Sequence, residues 1–531
     1  MSAGASQGGG QVRSAELVAA LCLASDLGMG FPFEHGLHSA LIAIRLAERL
    51  GVDRETVSQT YYASLLSHSG CTTDAHVTPQ VFGGSLKTNF HPVRYGSGRE
   101  VLKGLIRSLP DPESAGLVRA GQVARRLPRM AREMRPHVAA TCEVAGMLAS
   151  ELGLPSPVRS LFDYRFERWD GHGPLGRAKG DEIPLPMRIV PLAVDATFQR
   201  LLGGEERVVR VARDRAGHAF DPEVATCFVD HVGEILGSDE HASVWEETLA
   251  REVGAPLVLC RDAVDRALAA MGNFADLISP YLAGHSAAVA ALVAAAAQRC
   301  RIDEAGVAAL RRSALVHDLG RVAADVRIWQ KAGLLNADEW EQVRLHPYYT
   351  ERVLARSPFL AALAPVAGAH HERLDGSGYH RGAAGAELTL PARLLAAADA
   401  YHAMTEPRPY REAMSPEQAA DELARHASAG RLDADAVTAV VDAAGQPVPR
   451  LERPAGLTER EAVVIGMLAR GLQTKQVAAA LGISAKTADR HIQNAYRKIG
   501  VSSRAAATLF AMKHGLVAWG ELPIALPAAR S

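Results

Sequence analysis

The sequence predicts an all-α chain, built from two related helical units and a smaller helical domain behind them. Three observations carry that expectation. Apolar residues recur every three or four positions, most clearly in Leu37–Leu50 and Val307–Val316, and strand-like alternation is scarce. The 531 residues exceed what one hydrophobic core organises and imply about three domains. The chain also matches itself. Phe166–Gly173 repeats as His371–Gly378, and Leu185-Pro186-Met187-Arg188 repeats as Leu390-Pro391-Ala392-Arg393, both at an offset of 205 residues. At slightly larger offsets His38-Ser39 stands against His285-Ser286, and Leu66–Ser69 loosely against Leu315–Asp318.

In chain order, residues 1–13 are expected to be a disordered tail, since Met1–Gln11 is rich in Gly, Ser and Ala. Residues 14–240 form the first helical unit and 258–445 the second. Prolines at 447, 449 and 454 break helices, so 446–456 reads as a linker. Residues 457–520 form the last domain. A net charge of −1 argues against unspecific binding of polyanions by the whole molecule and leaves one basic domain open. The longest apolar run, Ala287–Ala297, is too short to span a bilayer, so no membrane partner is expected. No secretory signal opens the chain. Six scattered cysteines without CxxC pairing suggest reduced thiols and a cytoplasmic location.

The chemistry concentrates in the second unit. His370-His371-Glu372-Arg373-Leu374-Asp375-Gly376-Ser377-Gly378-Tyr379 joins two imidazoles, acids and a glycine-rich turn. His285, His317-Asp318 and His346 lie upstream, and Asp399 ends the apolar run Leu394–Ala398. Seven such side chains can hold two divalent metals. His317 and Asp318 end a helix, where neighbours point about 100° apart, so Asp318 is the natural bridge. Paired cations suit phosphodiester hydrolysis, because they neutralise phosphoryl charge and acidify water. Mixed nitrogen and oxygen donors with open positions favour iron or manganese over a closed zinc site. In the first unit Arg165 and Phe166 stand in place of His370 and His371, Ser69 in place of Asp318, and Val194 opposite Asp399 with Asp195 one position out of register.

On these residues the segment Val258–Gly445 resembles the HD-GYP phosphohydrolases, whose known members open cyclic di-GMP. The likeness extends to Phe274-Ala275-Asp276, Ser279-Pro280-Tyr281, Asp399-Ala400-Tyr401, Met404-Thr405 and Arg408-Pro409-Tyr410-Arg411. It implies an HD-type helical fold with metal ligation by His285, His317, Asp318, His346, His370, His371 and Asp399. It also implies catalysis at Asp318 with Arg321 stabilising phosphoryl charge. Substrate contacts would come from Arg321, Asp375, Gly376, Gly378, Tyr379 and Arg408. Three departures stand out. Arg321 replaces the family's lysine; it keeps the charge and can grip phosphate bidentately. His380 replaces a proline. Tyr281 stands where a three-metal version carries glutamate, which points to two metals. The first unit is then a degenerate HD-type unit, open to two readings: a regulatory or dimerising pseudo-domain, or a decayed duplicate kept for packing.

The last domain has its own pattern. Thr458 with Glu461 forms a capping box, Gly482-Ile483-Ser484 a tight turn, and Ser484 opens a second polar helix, which together read as a helix-turn-helix. Nine lysines and arginines face three acids between Gly456 and Gly515, an excess suited to phosphate contacts. Leu457–Glu461, Leu468–Gly471, Val477-Ala478, Lys486-Thr487, His491-Ile492 and Arg497–Val501 resemble the LuxR-type DNA-binding domain, a four-helix module. The resemblance places Lys475, Lys486, Thr487, Arg490, His491 and Lys498 on double-stranded DNA and makes Leu509 and Met512 candidates for a homodimer face. The combined expectation is a dimeric regulator. Its second unit binds two metals and hydrolyses a cyclic dinucleotide, cyclic di-GMP first, and so biases DNA binding. The alternative, a nucleotide sensor that does not hydrolyse, is kept open by Arg321 and His380.

Overall fold

The computed structural model describes residues 11–73, 75, 78–237, 243–447, 454–514 and 516. They form two compact units. Described residues of the first lie within 1–283, 319–330 and 353–359; those of the second lie within 284–318, 331–352 and 360–531.

The first unit begins with a correction. Gln11–Arg13, assigned above to the disordered tail, is a strand, β1, paired antiparallel with β2 (Val258–Cys260). Val12 is buried there, and the Arg13 guanidinium donates to the Leu249 carbonyl at 2.9 Å. Residues 1–10 lie outside the described residues. Helices α1 (Ser14–Met29), α2 (His35–Arg49), α3 (Arg54–Leu65), α4 (Gly116–Glu151), α5 (Leu185–Arg215) and α6 (Asp262–Asp276) follow. The core is α2 packed on both α3 and α5. The Asp53 side chain caps α3 by accepting from the Thr56 amide. Asp195, out of register with any metal ligand, has a structural role. It is 3% exposed, pairs with the buried Arg215 guanidinium and accepts from the Gln199 amide at 3.1 Å.

In the second unit α7 (His285–Arg299) packs against α8 (Glu304–Val316), α10 (Leu390–Thr405) and α12 (Ala434–Ala443). Between them lie α9 (His346–Leu354) and α11 (Pro416–Ser428). Val289, Ala290, Val293, Ala296 and Ala297 of α7 are buried, their small side chains letting its neighbours close in. The stretch Pro280–Arg299 has the length and apolarity of a membrane span. Its helical part is this core helix.

The repeat is visible in the helices. The order α2, α3, α5 recurs as α7, α8, α10. Both α2 and α7 start on a histidine after a left-handed residue, Glu34 at φ 74° and Gly284 at φ 82°. Aspartates, Asp53 and Asp303, cap α3 and α8. By this helix start, His35 rather than His38 occupies the place of His285.

Four helices end the second unit: α13 (Glu459–Ala469), α14 (Thr474–Ala480), α15 (Ala485–Ile499) and α16 (Arg504–Lys513). The Thr458–Glu461 capping box forms, and Ser484 caps α15. Their core does not stop at the domain edge. Val464, Leu468, Val477, Leu481 and Ile492 share one apolar cluster with Leu374, Ala384 and Leu388 of the glycine-rich turn. Gly385 (φ 50°) is needed here, since a Cβ would meet the Leu481 side chain at 3.0 Å and the Ala480 carbonyl at 3.1 Å. One buried ion pair crosses the same contact. Arg470 lies 2.8 Å from the Asp375 carboxylate and 3.3 Å from its carbonyl.

Breaking a buried pair leaves an uncompensated charge. Asp195→Ala is expected to cost about 3–5 kcal/mol, whereas Asp195→Leu with Arg215→Met recovers most of it. Urea unfolding followed by far-ultraviolet circular dichroism checks the order of the three proteins.

Candidate metal centre

Each expected ligand is delivered by an element end or a helix face. His285 starts α7, His317 and Asp318 follow the last turn of α8, and His346 starts α9. A short helix, Ala364–Ala367, lies within the apolar stretch Ala361–Ala369, and His370 and His371 follow it. Asp399 lies on the buried face of α10. The structure gathers all seven. Asp318 is fully buried between two groups. Its Oδ1 lies 3.2 Å from His346 Nε2 and 3.3 Å from His370 Nε2. Its Oδ2 lies 3.0 Å from His317 Nε2 and 3.5 Å from His285 Nε2. Asp399 Oδ1 is 3.1 Å from His285, and its Oδ2 is 3.7 Å from His371.

The outer ring nitrogens decide what this cluster can hold. Nδ1 of His317, His346 and His370 each sits 2.6 Å from a backbone carbonyl, that of Ala314, Val343 and Ala367 respectively. A carbonyl only accepts, so each Nδ1 carries the proton and each Nε2 turns its lone pair inward. His346 Nε2 and His370 Nε2 stand 3.0 Å apart beside a carboxylate oxygen. Lone pairs converging at that distance repel one another unless a cation lies between them. The donor set therefore fits divalent metal. Without metal, burial holds His370 down at about 4 and His371 well below the usual range. Burial lowers His317 as well, but Asp318 and Asp399 outweigh it and raise it to about 10, so without metal its Nε2 holds the proton that a cation would displace. The aspartates draw positive charge into the centre.

Two residues that the sequence reading missed complete the cluster. His285 is oriented by a carboxylate. Its Nδ1 is 3.2 Å from Glu406 Oε2 and 3.1 Å from His402 Nδ1. A carboxylate behind a ligating imidazole fixes its tautomer and raises its basicity. Asp399, His402 and Glu406 are three and seven residues apart, the spacing of one helix face, and that spacing was a usable signal. Arg408, expected on substrate, holds Glu406 Oε2 at 2.7 Å.

The glycine-rich turn is shaped from within. The buried Glu372 carboxylate accepts from the amides of Arg381 at 3.2 Å and Ala383 at 3.0 Å. Gly376 is left-handed at φ 74°, and a Cβ on Gly378 would meet the Glu372 Cα at 2.5 Å. Tyr379 stacks on His371 with ring centroids 4.3 Å apart. Asp375 Oδ1 accepts from the Ser377 amide at 3.0 Å, while its other carboxylate oxygen faces Arg470. Arg321 is buried in the turn Leu319–Ala323, with its guanidinium 5.6 Å from the Trp329 ring centre.

On the C-terminal domain Lys475, Lys486 and Arg490 are exposed, with Thr487 and His491 half-buried beside them. Lys498, expected on the same face, points its ammonium at Glu461 (2.6 Å) and the Gly456 carbonyl (3.1 Å). Leu509 is 69% exposed on α16; the Met512 side chain lies outside the described residues.

Comparison with known proteins adds the family. Residues 270–436 match the HD domain model, and 455–511 match the model of bacterial regulatory proteins of the luxR family. The chain is 30% identical over 413 residues to the 3'3'-cGAMP-specific phosphodiesterase 3 of Vibrio cholerae serotype O1, covering 75% of this chain and 88% of that protein. That match is longer than the stretch from Val258 to Ser531, so it takes in part of the first unit. A cyclic di-GMP phosphodiesterase of Pseudomonas aeruginosa is 35% identical over 195 residues, 36% of this chain and 46% of that protein. A crystal structure of a cyclic GMP-AMP specific phosphodiesterase from V. cholerae superposes with a TM-score of 0.56 at 26% identity, covering 82% of this chain and 98% of that one.

Glu406→Gln keeps the shape of the side chain and removes the charge behind His285. It is expected to lower metal retention about 10–100-fold, measured as metal content after dialysis against graded chelator. Asp318→Ala should lose metal from both groups.

Proposed function

Since the chain belongs to the HD-domain cyclic-dinucleotide phosphodiesterases, we propose that it hydrolyses a 3'3'-cyclic dinucleotide and answers by changing its grip on DNA. The observation that carries the hydrolase reading is the convergence of three imidazole lone pairs on the two oxygens of Asp318. Two divalent cations, iron or manganese by the mixed donor set, would neutralise phosphoryl charge and acidify water there. Asp318, with one oxygen toward each group, would serve both cations, and Glu406 would hold His285 in a ligating orientation. Tyr379, fixed on the His371 ring, offers an aromatic face beside the centre on which a base can stack. Arg321 is the candidate for stabilising phosphoryl charge, and the Trp329 ring holds its guanidinium in place. Arg408 supports catalysis through Glu406 and His285 in this reading.

Cyclic GMP-AMP is the substrate we place first. The relative whose match reaches into both units is specific for 3'3'-cGAMP, whereas the cyclic di-GMP phosphodiesterase of P. aeruginosa matches over a shorter segment. Protein loaded anaerobically with iron or manganese should linearise 3'3'-cGAMP faster than cyclic di-GMP, with Asp318→Ala inactive on both, as resolved by chromatography of the products. Intact cyclic dinucleotide from fully loaded protein would leave the sensor without turnover as the reading to adopt.

The luxR-family domain makes the molecule a DNA-binding regulator. Lys475, Lys486 and Arg490 stand exposed for phosphate and base contacts, and the exposed Leu509 supports a homodimer through α16. Six free cysteines suit the reducing cytoplasm. The Asp375–Arg470 pair supports a direct route between the sites, because Asp375 belongs to the turn that follows His370 and His371. A ligand that moves this turn alters the docking of α13, and by linkage DNA alters ligand affinity by the same factor. Arg470→Met is expected to flatten the dependence of DNA affinity on cyclic dinucleotide, read by fluorescence anisotropy at fixed salt, with metal content as the control for an intact second unit.

A further inference from the structure

The first unit carries length that the second does not. At the offset of 205 residues kept by the repeat, Thr141 falls opposite His346 and Arg165 opposite His370. Upstream that register breaks. Ser69 precedes Thr141 by 72 residues, whereas Asp318 precedes His346 by 28. The additional stretch holds the helix Gly98–Ser108 and the first half of α4. The core of α2 on α3 and α5 is built without either.

This stretch is basic. Residues 98–135 contain nine lysines and arginines against four acids, in a chain whose net charge is −1. Arg99, Lys103 and Arg107 recur at four-residue steps, so they line one side of the shorter helix about 6 Å apart along its axis. All three are exposed, and none has an ion pair to a described residue. Arg125 and Arg132, two turns apart on α4, are exposed as well. The acids do little to offset them. Glu100 is turned back on Ser97, accepting from its amide and its hydroxyl at 2.8 Å each. Asp111 accepts from the Gln122 side chain at 2.8 Å and pairs with Arg126 at 3.1 Å. Glu133 is shared between Arg129 at 3.1 Å and Arg132 at 3.3 Å. Glu113 lies on the connection between the helices.

The other sides of the two helices are occupied. Leu105 of the shorter helix packs with Val123, Leu127 and Met130 of α4 in one apolar cluster. A helix that lies on lipid needs its apolar side free to enter the acyl layer. Here that side is buried, and the exposed charge suits a polyanion in water.

We propose that this basic face of the first unit is a second contact for double-stranded DNA, gripping phosphate without reading sequence. Charge complementarity selects the partner. Duplex DNA presents one negative charge per about 1.7 Å of axis, and the luxR-family domain already brings it to the molecule. Such a grip is salt-dependent and alike for every sequence. It is independent of the metal centre and of hydrolysis, and it shares with the C-terminal domain only the ligand.

The test uses the full chain, both the parent and Lys486→Gln/Arg490→Gln, which weakens the C-terminal contacts. Fluorescence anisotropy of a duplex several helical turns long is followed across a salt series. Adding Arg99→Gln/Lys103→Gln/Arg107→Gln to either protein is expected to flatten the slope of log affinity against log salt by about 2–3, since each lost phosphate contact removes about 0.9. Arg125→Gln/Arg132→Gln should flatten it by about 2. Arg99→Lys/Arg107→Lys keeps the charge and should keep the slope, and thermal midpoints equal to that of the parent check that the helices are intact. An unchanged slope in both glutamine variants would overturn the proposal. Loss of binding to phosphatidylserine vesicles in those variants, with DNA binding unaltered, would overturn it in favour of a membrane contact. The C-terminal contacts are judged separately, by whether Lys486→Gln/Arg490→Gln alone weakens binding.

Discussion

The molecule is organised around one buried carboxylate. Asp318 lies fully inside the second unit with both oxygens turned toward imidazole nitrogen, and every neighbouring element is placed to make that tolerable. The carbonyls three residues before His317, His346 and His370 pin those rings by their outer nitrogens. His285 is backed instead by Glu406, which Arg408 in turn holds. Helix ends are thereby made into orienting devices. The same backbone groups that a helix leaves unsatisfied set the tautomer of each ligand.

The two units show which part of such a design is scaffold and which is chemistry. The three-helix core, the aspartate caps and the left-handed entry before the first histidine are common to both. The charges are not. One centre presents aspartates to cations; the other presents a guanidinium and an apolar side chain at the matching places. Asp195 illustrates the change. One residue away from the position of Asp399, it faces Arg215 and became a structural counter-ion. Packing of α2 on α3 and α5 does not depend on metal ligands, so the helical core stands without them.

Much of this was legible in the sequence. The helical periodicity, the doublets His317-Asp318 and His370-His371, and the capping box at Thr458 are local signals, and the structure realises them. What stayed hidden was nonlocal or needed a helix face. His402 shares a face of α10 with Asp399, but Glu406 lies just beyond the helix end and has no motif of its own. Gln11–Arg13 pairs with Val258–Cys260, nearly the whole length of the first unit away in sequence, and a glycine-rich lead-in masks it. The LuxR-type resemblance puts Lys498 on DNA; only the fold reveals that its exposed ammonium also meets Glu461 of the capping box. The alignment of His38 with His285 failed by one helical turn, since sequence identity alone does not mark where a helix begins.

The apolar cluster that runs from Leu374 through Leu481 bears on how such proteins can arise. Domain fusions are usually pictured as beads exchanged at a linker. Here a crossover in the linker would part Gly385 from Leu481 and Asp375 from Arg470. The newcomer would bring its own floor to a turn that had been carved for another. The two modules therefore descend as a matched pair: a substitution on one surface of the joint narrows what the other accepts. Lineages carrying this architecture are expected to diverge at the DNA-reading face of α15 long before they exchange the domain that bears it.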